Sequence, residues 1–286
     1  MSPWLVGFLV FTSGPMVASF VLSLTEYEIL APPRYIGLEN YSTLVDDPKI
    51  RKSLANTVFF TVLLVPATIV VALALAMILL RVGRAAGFFR TVFYLPEMTP
   101  PVAVGIMFLL LFNGSYGLIN SGLEKVGIPG PFWTTDPNWI KPGLVLMSVW
   151  SVGGTMVIYL AALASVPRQL YEAAAMDGAS PLRRFKDVTL PMISPALYFT
   201  GLILTIHGLQ TFTEAYTAFF GNAQTQTYSS DAALFYVIYL VQQAFQFLHM
   251  GYASAMAWLL FLVIVTITLI QAQLSKRFVF YQGARR

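Results

Sequence analysis

The sequence predicts an all-α integral membrane protein with six membrane-spanning helices and a polar helical loop between the fourth and the fifth. Three observations predict it. Hydrophobic residues make up 57% of the 286 and charged residues only 10%, where a soluble domain carries about 25% charged; the mean hydropathy is +0.70. The apolar runs are about 20 residues long, the length of a helix across a bilayer, rather than the about 10 of a barrel strand. The basic residues crowd at the ends of those runs, where they set orientation, so the net charge of +4 does not point to nucleic acid.

The first span covers residues 4–24, with Gly14-Pro15 expected to kink it. It lacks a basic leading segment and a small-residue cleavage site, so no cleavable signal peptide is expected. A mixed-charge loop with Pro32-Pro33 leads to the second span, 56–80, which is the most uniformly apolar and is expected to face lipid. The third, 91–112, is broken near its start by Pro96, Pro100 and Pro101. A Gly- and Pro-rich loop follows, with Trp133 and Trp139 at interfacial depth. The fourth span is 142–164, the fifth 195–220 and the sixth 253–274, with an aromatic stretch at 221–250 that reads as a surface or re-entrant helix. There is no cysteine, so disulfides and thiol chemistry are excluded, and two histidines without cysteine make a structural metal site unexpected.

Loop 167–191 breaks the apolar pattern. It reads as two short helices around a tight turn. Pro167 suits a first helical position. Leu170, Ala173 and Ala174 form a small smooth face that lets another surface approach, and Glu172 offers a charge at such a contact. Asp177-Gly178 ends the first helix, with glycine free to turn left-handed. Ser180-Pro181 caps and opens the second, and Leu190-Pro191 is expected to stop it. The plainer reading is a solvated connector that is helical by chance.

The Lys and Arg count orients the chain. The loop after the second span holds Arg81, Arg84 and Arg90; loop 167–191 holds Arg168, Arg183, Arg184 and Lys186; the tail holds Lys276, Arg277, Arg285 and Arg286. These eleven face the six in the opposite loops (Arg34, Lys49, Arg51, Lys52, Lys125, Lys141). Both termini and loop 167–191 are therefore expected in the cytoplasm of a bacterial inner membrane.

Polar residues inside spans are functional candidates. His207, Gln210, Thr211 and Glu214 fall at i, i+3, i+4 and i+7 on the fifth span, one face of a continuous helix. Ser148, Ser151 and Thr155 do the same on the fourth, beside Trp150. Glu97 lies in the proline-broken part of the third, where freed carbonyls can also line a cavity. Hydroxyls, amides, a carboxylate and aromatic planes suit a sugar or polyol. The competing reading is structural: Ser and Thr bond their own helix, and His207 pairs with Glu214. Gly201, Thr205 and Gly208 let a neighbouring helix approach closely.

The string Glu172-Ala173-Ala174, with Gly178 six residues after the glutamate and Leu190-Pro191 beyond, resembles the EAA loop of permease subunits of ATP-binding-cassette importers. Around it, Asp177-Gly178-Ala179-Ser180 and Val188-Thr189-Leu190-Pro191 resemble the carbohydrate-uptake, maltose permease-like branch. So do Gly37-Leu38-Glu39-Asn40-Tyr41, Tyr239 with Ala244-Phe245, and Gly251-Tyr252-Ala253, so the resemblance covers nearly the whole chain. It implies a coupling role for Tyr171, Glu172, Ala173, Ala174, Asp177, Gly178, Ala179 and Pro191 against an ATPase. It also implies a substrate path along spans three to five. The implied partners are a second, different permease subunit, two ATPase subunits and an extracytoplasmic solute-binding protein. No cofactor is expected on this chain, ATP and Mg2+ belonging to the ATPases. After Tyr216 the branch's usual LTGGP-like stretch is replaced by AFFGNAQTQT.

No G-x-x-x-x-G-K-[ST] phosphate loop and no nucleophile–base set occur, so neither ATP hydrolysis nor other catalysis is expected here. Two other functions remain open to the residues alone: a proton-coupled secondary transporter with Glu97, His207 and Glu214 as its relay, and a membrane scaffold or assembly factor. The Glu-Ala-Ala string favours the importer, because a symporter needs no such loop.

Overall fold

The computed structural model describes residues 2–220 and 231–280. They are almost entirely helical. Helix α1 is Ser2–Ser23, and the irregularity expected at Gly14-Pro15 takes the form of a π turn, Leu9–Ser13, directly before them. Such a turn accommodates the missing N–H and the ring of Pro15. Two-residue strands β1 (Thr25–Glu26) and β2 (Arg34–Tyr35) pair antiparallel. Helix α2 is Glu39–Asp46 and α3 is Pro48–Arg81.

The segments expected as the third and fourth spans are each a bent pair of helices. Gly83–Met98 (α4) and Pro101–Leu111 (α5) meet at 96°, while Ile140–Trp150 (α7, after the short α6, Leu118–Lys125) and Gly153–Ala164 (α8) meet at 56°. Proline accounts for the first bend, since Pro100 and Pro101 disfavour helix in the residues before them. By length and apolarity four helices can cross a membrane, or up to six if each bent pair is one span.

Helix α9, Arg168–Met176, and the one-turn α10, Pro181–Arg184, follow. Leu190-Pro191 does not stop the second short helix. A π turn, Phe185–Thr189, carries it without interruption into α11, Leu190–Leu209. The widened turn supplies the backbone pairing that Pro191, lacking an N–H, cannot. The chain then breaks at Gln210 and resumes as α12, Thr213–Phe219. Helix α13 is Tyr236–Val241, with a π turn at Gln242–Gln246, and α14 is Met250–Phe278. The expected helix over 221–250 is seen only in this second part; residues 221–230, and with them much of the AFFGNAQTQT stretch, lie outside the described residues.

The fold divides into two compact units, Met1–Thr57 with Leu234–Ile267 and Val58–Ala233 with Thr268–Arg286. In the second, the second span does not simply face lipid. Ala72, Ala76 and Leu79 are buried against Val152, Met156, Tyr159 and Ile193. Alanines leave room for that approach. The small residues of the fifth span are likewise used within the chain: a Cβ on Gly208 would lie 2.8 Å from Thr61 Oγ1, and Thr205 is buried and accepts from Gln271 Nε2 at 2.9 Å.

Candidate functional site

Loop 167–191 is built from strong local signals. Pro167 is the N-cap of α9 rather than its first residue, because its ψ of 129° is extended. At the other end Gly178 N donates to Ala175 O at 3.0 Å and Ala179 N to Ala174 O at 2.9 Å. That is the paired cap requiring a left-handed residue, and Gly178 has φ +72°. Ser180 Oγ accepts from Arg183 N at 3.3 Å, with Pro181 opening α10. Tyr171 Oη and Thr189 Oγ1 are 3.0 Å apart, which ties α9 to the π turn below α11. Helix α9 buries no residue: Glu172 and Ala173 are exposed, Ala174 and Ala179 half-buried, and Met176 and Leu182 project outward. Asp177 is the exposed C-cap and Pro191 is half-buried at the start of α11. A short helix held in place at both ends, with its whole outer face uncovered, can receive a partner without first being ordered.

Every sequence-predicted path residue lies at or beside a helix break. Glu97 is in the 3-10 turn Leu95–Met98, exposed. Ser151 is the C-cap of α7, so Ser148, Ser151 and Thr155 do not share one straight face; the 56° bend separates Thr155 from the others. Ser148 Oγ, half-buried, bonds its own helix at Leu144 O, 2.8 Å away, a local structural use of the hydroxyl. Trp150 is exposed at 45%. On the fifth span the predicted continuous face is also interrupted. Gln210 caps α11 with φ −103° and ψ 13°, and Phe212 before α12 has φ −144°. Thr211 N reaches back to Gly208 O at 3.4 Å instead of continuing the helix. His207 and Gln210 are exposed, Thr211 and Glu214 half-buried. Among the described residues no ion pair joins His207 to Glu214.

Glycines bring two of these breaks together. A Cβ on Gly153 would lie 2.5 Å from Phe93 O and 2.7 Å from Tyr94 Cα, so only glycine fits. On Gly154 it would lie 3.6 Å from Glu97 Oε1, in ordinary contact. The Glu97 carboxylate therefore sits at Gly154, by the fourth-span break. Gly105 of α5 plays the same part for α12, where a Cβ would come within 2.9 Å of both Glu214 O and Thr217 Cβ. The structure thus places Glu97 with the Ser151–Thr155 break and Glu214 against α5. Helix breaks expose backbone carbonyls, which are tolerated at membrane depth only where protein or a wet cavity receives them.

Residues 53–280 match the family model of the binding-protein-dependent transport system inner membrane component. The chain belongs to this family. Across 286 residues it is 39% identical to the probable ABC transporter permease protein YesP of Bacillus subtilis (strain 168), covering 99% of this chain and 91% of that one. It is 33% identical over 258 residues to the sulfoquinovosyl glycerol transport system permease protein SmoG of Agrobacterium fabrum, covering 90% and 81%. Among solved structures, a bacterial ABC transporter that imports the acidic polysaccharide alginate superposes with a TM-score of 0.81 at 24% identity, over 96% of this chain and 93% of that one; this shows the fold.

This permease is therefore a subunit of an ABC transporter and not itself an enzyme. Its other motif residues, to which sequence reasoning gave no role, meet in the unit that holds α13. Asn40 Nδ2 donates to Ser23 O and Thr25 O, both at 2.9 Å. Asp47 Oδ2 accepts from Tyr239 at 2.7 Å and Tyr252 at 2.8 Å. A Cβ on Gly251 would come 2.0 Å from Thr25 O, which explains a glycine before Tyr252. Partial burial raises the Asp47 carboxyl, but the two phenols and the amides of Lys49 and Ile50 outweigh it and hold the group below its ordinary 3.8. A cavity of about 530 Å³ beside it is lined by Glu26, Glu28, Asp46, Asp47 and His249. The tyrosine in each motif was a visible signal; their common acceptor was not.

Proposed function

We propose that this permease is one of two different membrane subunits of an importer for a sugar, or a related polyol or glycerol-phosphate ester. A solute-binding protein delivers the solute, and two separate ATPase chains carrying ATP and Mg2+ supply the energy. The chain crosses the bacterial inner membrane six times, each bent pair making one span, with both termini and loop 167–191 in the cytoplasm, as the eleven-to-six distribution of Lys and Arg favours. The relative named for sulfoquinovosyl glycerol and the alginate importer, also solved with an alginate pentasaccharide-bound periplasmic protein, support the solute class and the delivery partner. The maltose-type resemblance supports a heterodimer.

One observation carries the reading: an uncovered helix α9, capped at Gly178 and tied by Tyr171 to a helix that runs unbroken from Pro181 through a π turn to Leu209. A partner can shift a conformational equilibrium only through differential contacts, and α9 offers them. Displacement of α9 reaches Gln210–Glu214 along α11 and Ser151–Thr155 along α8. The twelve residues Gly153–Ala164 cover about 18 Å, so the fourth-span break lies near the middle of an about 30 Å hydrocarbon layer. An exposed Glu97 at that depth is expensive against lipid and fits a wet path shared with the sister subunit. The proton-relay reading lacks a His207–Glu214 contact among the described residues.

The test is reconstitution with the co-encoded partners and measurement of ATPase stimulation by solute-loaded binding protein. Glu172→Lys should abolish stimulation while the chain still inserts. A complex with two copies of this chain and no second permease, an external reporter fused after Arg286, or normal stimulation in Glu172→Lys would each contradict a stated part of the reading.

A further inference from the structure

At the base of α3 and α8 lies a cavity of about 400 Å³ to which the transport reading assigns no ligand. Its polar side carries Arg81, the last residue of α3, and Arg184 and Tyr171 from the loop; its apolar side carries Leu80, Leu163 and Phe185. The two guanidiniums come from different elements, and among the described residues no carboxylate pairs with either. The nearby Asp187 is taken by Arg183 at 3.4 Å. Arg184 Nε is shielded from solvent and has no hydrogen-bond partner. A buried donor left unmade is costly, and a charged one more so.

We infer that this cavity binds the phosphate headgroup of an anionic phospholipid, its acyl chains leaving along Leu80 and Leu163. Guanidiniums match phosphate geometry, and two of them line this cavity. The apolar wall, made by the ends of two membrane helices, distinguishes a lipid from a soluble phosphate, which would have no use for it. The inference rests on the proposed orientation, which puts this end in the cytoplasmic leaflet, where anionic lipids gather. The bound headgroup bridges the second span to the loop that carries α9, so coupling becomes lipid-dependent.

The experiment uses the whole complex, with sister permease and ATPase chains, in nanodiscs of phosphatidylcholine with and without phosphatidylglycerol. Native mass spectrometry reads retained lipid, and stimulated ATPase activity is measured in parallel. The wild type should retain phosphatidylglycerol and couple better with it. Arg81→Gln with Arg184→Gln should lower retention roughly tenfold, the loss expected for charge-assisted contacts. Arg81→Gln alone should show a smaller loss and serves if the double variant fails to assemble. Equal retention in wild type and variants overturns the site. Displacement of the lipid by inorganic phosphate alone makes it a soluble-anion site and overturns the lipid assignment. Retention by the permease pair that vanishes when the ATPase chains bind assigns the cavity to an acidic side chain of the ATPase, which also overturns it. Absence of stimulation in every lipid would count against the transport reading, while lipid retention would still be read separately.

Discussion

The hydroxyls of Tyr171 and Thr189 lie 3.0 Å apart, joining the exposed helix Arg168–Met176 to the turn from which Leu190–Leu209 rises. The pair ties the loop to the base of the fifth-span helix. Tyr171→Phe removes the bond and keeps the ring. A hydrogen bond of this kind contributes about 1 kcal/mol net. The complex should assemble normally, and the ratio of stimulated to basal ATPase activity should fall a few-fold; an unchanged ratio would show that the tie is not used in coupling.

Gly178 is left-handed at φ +72°, and a Cβ there would meet nothing within 4 Å. Damage from substitution must therefore come from the backbone alone. Gly178→Val should impair stimulated ATPase activity most, Gly178→Ala less, and Gly178→Asn least, because asparagine tolerates this region. The strain amounts to about 1–2 kcal/mol for an ordinary residue. Equal effects of all three would point to lost space at a partner contact instead.

Gly153 and Gly154 are neighbours with opposite demands. A methyl on Gly153 strikes the backbone of Phe93 and Tyr94, whereas on Gly154 it only touches Glu97. Gly153→Ala should destabilise the purified complex by about 1–3 kcal/mol, read as a fall in Tm, and Gly154→Ala should change Tm little. Similar melting of the two would refute the packing of the third-span break on the fourth.

At the close approach to Gly105 of α5, Glu214 presents its backbone oxygen. Glu214→Ala should therefore leave assembly intact and lower solute uptake. Uptake and assembly lost in parallel would mean the side chain is structural.

Asp47 offers a pH test. Its carboxyl sits below 3.8 when folded and at the ordinary value when unfolded. The stability it contributes is thus complete above 3.8 and is lost as pH falls through the lowered folded value. Thermal melts should show an acid limb below 3.8 that Asp47→Asn flattens, with a lower Tm for the variant near pH 7. An identical acid limb in the variant would remove Asp47 from this role.

The sequence by itself determined the membrane class, the approximate position of the apolar runs, and the Gly178 and Ser180 caps of loop 167–191. These depend on composition and on contacts within a few residues: Gly178 needs only its own φ, and Ser180 needs only Arg183 three residues on. The tertiary structure decided what no local pattern specifies. Helical spacing placed His207 through Glu214 on one face, but the chain breaks at Gln210–Phe212, where packing of Glu214 and Thr217 on Gly105 fixes a new helix direction. Spacing likewise joined Ser148 to Thr155 across a bend held by Gly153 against Phe93. The second span looked lipid-facing because hydropathy records apolarity and not its neighbour; Ala72 and Ala76 turn out to be core. Pro191 reads as a stop only until a π turn absorbs it. Apart from Pro191, the deciding contact is in each case far apart in sequence, and a membrane helix hides it well, since lipid and protein neighbours are equally apolar.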